Sequence, residues 1–294
     1  MLRRVEGRPF FRPGSETLCY LPECPRVIGD ALLWVSIQYA SGRPQGGLNV
    51  LNLANRQNTH HSLPGRPGFF VETPDLGVLL IGLERRLVLY DLNRAAVTVT
   101  LAHIPEDPRV IINDGIAIPG GVLFGTKHLH FSEPVAALYH YDHATHEVRE
   151  LLGGQTCSNG KYFHDGLLVD IDTAPKTITE YRYDGALHPV RLIAPPDTLP
   201  AFPDGMRPMP DGNSVIVAYY NAAHVADGLA QEIRLSDGAV LTEWILPGSP
   251  RVTCPEIAEF EGKPCVFFTT ATEGMPEATR AIAPDAGTIF HAPL

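Results

Sequence analysis

Residues 201–221 read AFPDGMRPMPDGNSVIVAYYN and contain the triplet Pro-Asp-Gly twice, centred on Asp204 and Asp211. Proline fixes φ, aspartate bonds its own backbone and glycine accepts positive φ, so each triplet predicts a tight turn that leads into a strand. The second triplet precedes the apolar run SVIVAYY, which predicts an ordinary hairpin turn. Only residues 206–209 separate the triplets. They predict one very short strand, so Asp204 and Gly205 need a different explanation.

The run SVIVAYY is one of six short apolar strands, each of which follows a turn signal. Their centres are Trp34, Leu80, Phe124, Val169, Val217 and Phe267. The steps between successive centres are 46, 44, 45, 48 and 50 residues. A repeat of this length, built of short strands and turns, is typical of propeller blades. We therefore predict an all-β, six-bladed β-propeller that forms one domain over residues 1–294, and the near-equal steps favour it over a β-sandwich.

Composition argues against several classes of partner. The chain has 23 Lys plus Arg and 33 Asp plus Glu, a net charge of −10, and no basic stretch follows the N-terminal MLRRVEGR. We therefore expect no nucleic-acid partner and no anionic membrane surface. The apolar runs are too short to span a bilayer and no signal-peptide core is present, so we expect a cytoplasmic protein. The five cysteines form no Cys-x-x-Cys pair, which fits reduced thiols rather than disulfides or a structural zinc site.

Four of the predicted blades carry an acidic or amide residue just ahead of the apolar strand. These residues are Glu23, Asn113, Asn159 and Asp204. The innermost strand of each propeller blade lines the central channel, and its start is where side chains from all blades converge. Glycine at Gly205 would permit close backbone approach and leave Asp204 pointing inward. One such signal alone would indicate a turn and nothing more, but four in register predict a site at the channel.

The chemistry of these side chains predicts the type of ligand. Carboxylate and amide oxygens are the ligands of hard cations, so we expect one divalent cation: Ca²⁺, Mg²⁺ or Mn²⁺, with Zn²⁺ as an alternative. Without an ion, carboxylates that converge in a channel would repel each other and take up protons.

The same segments resemble a known family. The matching pieces are ECP at residues 23–25, INDGIAIPGGVLFGT at 112–126, CSNG at 157–160 and FPDGM at 202–206. In order and spacing they are similar to regucalcin (senescence marker protein), the gluconolactonases and luciferin-regenerating enzyme. The resemblance implies a six-bladed propeller that binds one divalent metal ion at the channel, and hydrolysis of sugar lactones, which many members perform.

The resemblance also implies roles for individual residues. Glu23, Asn159 and Asp204 match the metal ligands, and Asp204 matches the family's candidate general base. Asn113, which Asp114 follows, matches a residue that helps to hold the substrate.

A second group of candidate substrate contacts lies at the end of one predicted strand. Lys127 stands where the family has methionine, and His130 stands where some members bind sugar hydroxyls. His128 and His130 share a face by the two-residue period of a strand, so they are expected to contact the substrate or to carry a proton.

Several residues depart from the family pattern or permit another interpretation. Ile111 replaces a common arginine, and with Ile112 it favours an aryl ester or phosphotriester over a simple aldonolactone. His128 and His130 could form a His-x-His zinc pair. Cys157 could be a nucleophile, although a packed thiol fits better. His60 and His61 are expected in a loop, which could cap the channel.

The sequence therefore predicts a metal-dependent lactonase that acts on a small-molecule lactone by means of an activated water. The alternatives are a propeller that binds a metal or ligand without catalysis, and a related hydrolase of aryl esters or phosphotriesters. The oligomeric state and the identity of the metal are left open.

Overall fold

The computed structural model describes residues 2–294, which contain twenty-five β-strands. Two strands precede the blades: β1 (Arg3–Glu6) and β2 (Arg8–Phe11). The first blade contains β3 (Pro22–Ile28), β4 (Ala31–Ser36), β5 (Gly47–Asn52) and β6 (Asn58–Ser62). The second contains β7 (Pro67–Glu72), β8 (Val78–Leu83), β9 (Arg86–Asp91) and β10 (Ala96–His103). The third contains β11 (Val110–Ile118), β12 (Gly121–His128), β13 (Ala136–Asp142) and β14 (Val148–Gln155).

The later blades follow the same order. The fourth contains β15 (Ser158–His164), β16 (Leu167–Asp172), β17 (Thr177–Tyr183) and β18 (Leu187–Ala194). The fifth contains β19 (Phe202–Pro208), β20 (Ser214–Tyr220), β21 (Gly228–Arg234) and β22 (Val240–Leu246). The sixth contains β23 (Val252–Phe260), β24 (Lys263–Thr270) and β25 (Ile289–Pro293). A 3₁₀ turn (Pro196–Thr198) and the short helix α1 (Glu277–Ile282) lie in connections, and no helix within residues 2–294 is long and apolar enough to cross a membrane.

The blades close into a ring. The first strand of every blade contacts the first strand of the next, and β23 contacts β3. The N-terminal segment joins the last two blades, because β2 pairs with β25 and β1 pairs in parallel with β22. The apolar core lies between blades, as where Phe69 stacks on Phe124 with ring centroids 6.0 Å apart. The predicted all-β, six-bladed propeller is confirmed, and the six repeat centres lie on the second strand of each blade.

The segment that contains His60 and His61 differs from its prediction. Both histidines lie in β6, the outermost strand of the first blade, and not in a loop over the channel. His60 bonds the Tyr39 hydroxyl at 2.7 Å and His61 bonds the Tyr90 hydroxyl at 3.1 Å. These histidines therefore hold the outer edge of the blade.

Every inner strand carries one residue more than the second strand with which it pairs. The register shifts lie between Glu23 and Arg26, Pro67 and Phe69, Ile112 and Gly115, Ser158 and Lys161, Pro203 and Met206, and Val252 and Cys254. A β-bulge of this kind keeps the ladder paired on both sides while it turns a side chain. The bulges lie near the start of each inner strand, so all six are at one end of the channel.

The first Pro-Asp-Gly triplet forms one of these bulges, so its predicted turn is wrong. Strand β19 runs through it from Phe202 to Pro208, and the extra residue lies between Pro203 and Met206. The second triplet is the predicted hairpin turn, since the Gly212 amide donates to the Met209 carbonyl at 2.9 Å. These turn-favouring residues form a bulge because β19 stays paired with β20 on both sides of them.

Position 205 requires glycine because the inner strand of the next blade lies very close to it. Backbone conformation is not the reason, since the φ of Gly205 is not left-handed. A Cβ there would lie 2.5 Å from the Cys254 sulfur and 2.8 Å from the Cys254 Cα in the inner strand of the next blade. The Cα belongs to the backbone and cannot move aside.

We predict that Gly205→Ala lowers the free energy of unfolding by about 1–3 kcal/mol through overpacking. Gly14→Ala is the control, because a Cβ at exposed Gly14 would meet nothing within 4 Å, and we expect a change within about 0.5 kcal/mol. Urea unfolding of both variants measures the difference. Equal stabilities would show that the inner strands are not packed as closely as described.

Candidate active site at the channel mouth

A cavity of about 610 Å³ opens at the end of the channel that holds the bulges. Its wall includes Glu23, Asn113, Asn159 and Asp204, one from each of four bulges. In the other two blades Gly68 supplies no side chain, and the Thr253 hydroxyl bonds the Pro22 carbonyl at 2.6 Å. The other wall residues are Leu21, Lys127, Phe131, Cys157, Thr173, Ala174, Phe202, Tyr220, Ala222, Arg251, Glu273 and Gly274.

The Glu23 and Asp204 carboxylates of the cavity lie close enough for one to disfavour ionisation of the other. Burial, Asp204 and Asp114 raise the pKa of Glu23, while Lys127 lowers it. Burial also raises the pKa of Asp204, against the opposing effects of Lys127 and of the hydrogen bond from Asn159. Within residues 2–294, neither carboxylate has a Lys, Arg or His partner within 4.0 Å. Both groups are therefore held in a position that disfavours their charged form.

The two buried asparagines present oxygen to the cavity. The Asn159 Nδ2 donates to Asp204 Oδ1 at 2.5 Å and to Thr173 Oγ1 at 3.1 Å. The Asn113 Nδ2 donates to the Ser158 carbonyl at 3.1 Å. Neither Oδ1 accepts a hydrogen bond from any residue in 2–294. Because both NH₂ groups are used by the protein, the amide oxygens are left for a ligand.

These four side chains fit a hard divalent cation. They offer two carboxylates and two amide oxygens, the donor set that Ca²⁺, Mg²⁺ and Mn²⁺ prefer. No cluster of three or more His, Cys, Asp or Glu side chains able to hold a metal ion occurs within residues 2–294. The amide oxygens would therefore have to contribute, and a zinc site built of histidine and cysteine is absent from the described residues.

A buried ion pair supports the bulge that carries Asn159. The Lys161 Nζ donates to the Asn159 carbonyl at 2.5 Å and lies 3.3 Å from the Asp170 carboxylate. Asp170 also accepts from the Ser158 hydroxyl at 3.0 Å, and Asp172 accepts from the Cys157 amide at 2.9 Å. The second strand of the blade therefore holds the inner strand by side-chain carboxylates where the backbone ladder is interrupted.

The predicted substrate contacts divide into two groups. Lys127 lines the cavity, where its Nζ lies 5.7 Å from the centre of the Phe131 ring. His128, His130 and Asp114 do not line it, so their predicted contact with substrate is not supported. Strand alternation turns His128 away from the face of Lys127, and its Nδ1 accepts the Glu133 amide at 3.1 Å.

His130 and Asp114 are placed differently. His130 lies beyond the end of β12 and is exposed. The Asp114 carboxylate accepts its neighbour's amide, from Gly115, at 2.7 Å. The two histidines do not form a metal-binding cluster among residues 2–294, so the His-x-His alternative is not supported.

Two other sequence-based interpretations can be judged from burial. Cys157 lines the cavity, but burial raises the pKa of its thiol far above the usual range, which fits the packed thiol and not a nucleophile. Ile111 and Ile112 are fully buried and do not line the cavity. These two residues therefore give no support to an aryl ester or phosphotriester substrate.

Sequence reasoning missed several residues of the wall. Phe131 and Phe202 form an apolar rim and remain 43% and 37% exposed. Arg251, Tyr220 and Glu273 come from the fifth and sixth blades. Arg251 stands directly before β23, the place where the repeat predicts the channel mouth, but no glycine marks it. No sequence pattern marked Phe131, because it lies in the connection after β12, where the two-residue alternation of a strand no longer applies.

Most of the chain matches one known protein family. Residues 21–271 match the family described as SMP-30/Gluconolactonase/LRE-like region. The chain belongs to this family. The predicted resemblance is confirmed, and the family includes gluconolactonases. No curated protein matches the chain.

Several solved structures share the fold. A calcium-binding protein, regucalcin, from Agrobacterium tumefaciens is 18% identical with a TM-score of 0.83, over 99% of this chain and 95% of that one. Luciferin-regenerating enzyme is 18% identical with a TM-score of 0.79, over 98% and 96%. A gluconolactonase from Xanthomonas campestris is 15% identical with a TM-score of 0.58, over 98% and 99%. At these identities the likeness shows the fold alone.

We predict that Glu23→Gln stabilises the metal-free protein by about 0.5–1 kcal/mol at neutral pH. The substitution removes one of two neighbouring negative charges from the cavity. A carboxyl with a raised pKa holds its proton more tightly in the folded state, so ionisation reduces stability as pH rises. The difference from wild type should therefore shrink as pH falls toward about 4.3, the ordinary glutamate value. Thermal unfolding across this pH range measures it.

The control for this measurement is Glu72→Gln, which makes the same charge change at an exposed position. We expect it to alter stability by less than about 0.5 kcal/mol at every pH. A Glu23→Gln protein that is less stable than wild type at neutral pH would contradict the electrostatic description of the cavity.

Proposed function

We propose that this protein is a divalent-metal-dependent lactonase, which hydrolyses a cyclic ester of a small molecule in the channel cavity. The observation that carries the proposal is the set of four oxygen-bearing side chains, Glu23, Asn113, Asn159 and Asp204, which converge without a cationic partner. Family membership supports hydrolysis, and the calcium-binding regucalcin of similar fold supports a cation.

The donor set assigns different roles to its members. Glu23, Asn159 and Asp204 would hold the cation, and Asn113 would contact both the cation and the substrate. When bound, a divalent cation polarises a carbonyl and lowers the pKa of a bound water. The amide of Asn159 orients Asp204 through its Nδ2 hydrogen bond, which leaves Asp204 Oδ2 to face the reacting water.

The proton acceptor must be a residue of the cavity wall. No histidine lines the cavity, so the candidates among the described residues are the carboxylates. Asp204 is our first candidate as the general base, a role worth about 10²- to 10⁴-fold in rate. Glu273 is the second, since one oxygen accepts from Gln38 Nε2 at 2.6 Å and the other is available.

The wall favours a substrate with an apolar part. Phe131 and Phe202 stand at the rim, and the apolar side chains of Leu21, Ala174 and Ala222 also line the cavity. A cavity of about 610 Å³ lies in the range that takes drug-sized ligands. An aryl lactone or aryl ester is therefore the second candidate substrate, now on the evidence of the aromatic rim.

The test uses metal-stripped protein and a panel of sugar γ- and δ-lactones and aryl lactones. Ca²⁺, Mg²⁺, Mn²⁺ and Zn²⁺ are added back singly, and acid release is followed with a pH indicator. We expect turnover only with a cation, and a loss of about 10²-fold or more in Asp204→Asn. Asp211→Asn is the matched control, since it makes the same change in the exposed second triplet.

The outcomes separate the proposed function from its alternatives. Turnover without a cation, or normal turnover by Asp204→Asn, would contradict the proposal. Tight cation binding with no turnover of any ester would replace it by a non-catalytic binding propeller. A stronger loss in Glu273→Gln than in Asp204→Asn would move the general base to Glu273.

A further inference from the structure

Two basic residues of the cavity wall, Lys127 and Arg251, form no ion pair within residues 2–294, and Arg251 is the more deeply buried of the two. The side chain of Arg251 is nine-tenths or more buried, since the residue is only 3% exposed. Its Nη2 makes one long hydrogen bond, 3.5 Å to the Gly274 carbonyl, and its buried Nε has no partner. Within residues 2–294, no carboxylate lies within 4.0 Å of the guanidinium.

This arrangement is costly in the unliganded protein. A guanidinium carries five N–H donors. A buried donor without an acceptor costs the full free energy of its desolvation. Another arginine of an inner strand does have an acidic acceptor, because Arg207 Nε donates to Glu256 at 2.6 Å. Arg251 lacks such a partner, although it is the more deeply buried of the two arginines.

The surroundings of Arg251 form one side of the cavity. The guanidinium carbon lies 5.1 Å from the centre of the Tyr220 ring, a distance at which the ring supports the cation. The Tyr220 hydroxyl is not free, because it donates to the Glu273 carbonyl at 2.9 Å. The ring therefore supports the guanidinium on one side, and its other donors have no partner among residues 2–294.

The charge of the cavity also fits an anion. A bound divalent cation would balance Glu23 and Asp204. The remaining charged residues of the wall are Lys127 and Arg251, which are positive, and Glu273, which is negative. Glu273 already accepts from Gln38 and forms no ion pair with Arg251 among the described residues.

We propose that Arg251 binds a carboxylate of the substrate, so that the lactone or ester hydrolysed here carries a free carboxylate group in addition to the scissile ester. Guanidinium and carboxylate match in a planar, two-bonded geometry. This inference rests on the proposed function for the identity of the reacting group, and on Arg251 alone for the carboxylate.

Binding is tested first, with probes that are not hydrolysed. Benzoate and benzamide have nearly the same shape and differ in charge, and their ring suits the aromatic rim. Calorimetry with the Ca²⁺-loaded protein should show benzoate bound about 10- to 100-fold more tightly than benzamide, and Arg251→Gln should remove this difference. Arg280→Gln is the control, since Arg280 also bonds a sixth-blade carbonyl, that of Thr272, but does not line the cavity.

Turnover is the second measurement. The γ-lactones of galactonic and galactaric acid differ only in a hydroxymethyl or a carboxylate at the far end. Arg251→Gln should lower kcat/KM about 10- to 100-fold for the galactaric lactone, mainly through KM, and leave the galactonic lactone nearly unchanged. Arg251→Lys should restore part of this loss.

The two measurements separate the inference from the proposed function. Benzoate binding that depends on Arg251, without turnover of either lactone, supports the carboxylate site and counts against the lactonase. Turnover with equal loss on both lactones in Arg251→Gln, or benzoate that binds no better than benzamide, overturns the carboxylate site and leaves the lactonase in place.

Discussion

The structure depends on the extra residue that every inner strand carries near its start. Six inner strands contact one another in a closed ring, so none can rotate to direct a chosen side chain into the channel. A bulge turns one side chain while the pairing continues above and below it. The close packing between strands then requires a small residue beside the turned one, as where Gly205 faces Cys254. The site and the closure of the ring therefore use the same feature.

The charges of the channel divide according to whether they have partners. Glu256 is bonded by Arg207, and Asp170 lies beside Lys161. These buried acids are satisfied within the protein, as structural acids generally are. Within residues 2–294, Glu23 and Asp204 lack such a partner, and so do the basic Lys127 and Arg251. A cation at the acids and a carboxylate at the arginine would satisfy these side chains, and Phe131 and Phe202 stand at the rim of the same cavity.

Much of this could be predicted from the sequence, for physical reasons. Short strands between turn residues fix the length of a blade, so the six centres from Trp34 to Phe267 indicated the fold. Glu23, Asn113, Asn159 and Asp204 were found because each stands in a turn-like signal at the start of an inner strand. The signal was interpreted as a turn, since the same residues favour turns and bulges, and only the pairing on both sides distinguishes them.

The remaining errors have similar causes. His128 and His130 were assigned to the substrate by alternation within the strand, but the face toward the cavity belongs to Lys127, and the strand ends at His128. Ile111 stands at a family position that carries arginine, but it and Ile112 are core residues here and do not reach the cavity. Arg251 was missed because no glycine follows it to mark the bulge at the start of the inner strand. Side-chain direction depends on register between strands, which one sequence does not contain.

The most direct test of the central claim is to locate a cation in the cavity. A crystal of the protein soaked in Mn²⁺ would be measured for anomalous scattering. The account predicts one strong peak at the channel mouth, within about 2.0–2.6 Å of carboxylate oxygens of Glu23 and Asp204 and of the Asn159 Oδ1. A peak at other residues, or no peak in the cavity at saturating Mn²⁺, would contradict it.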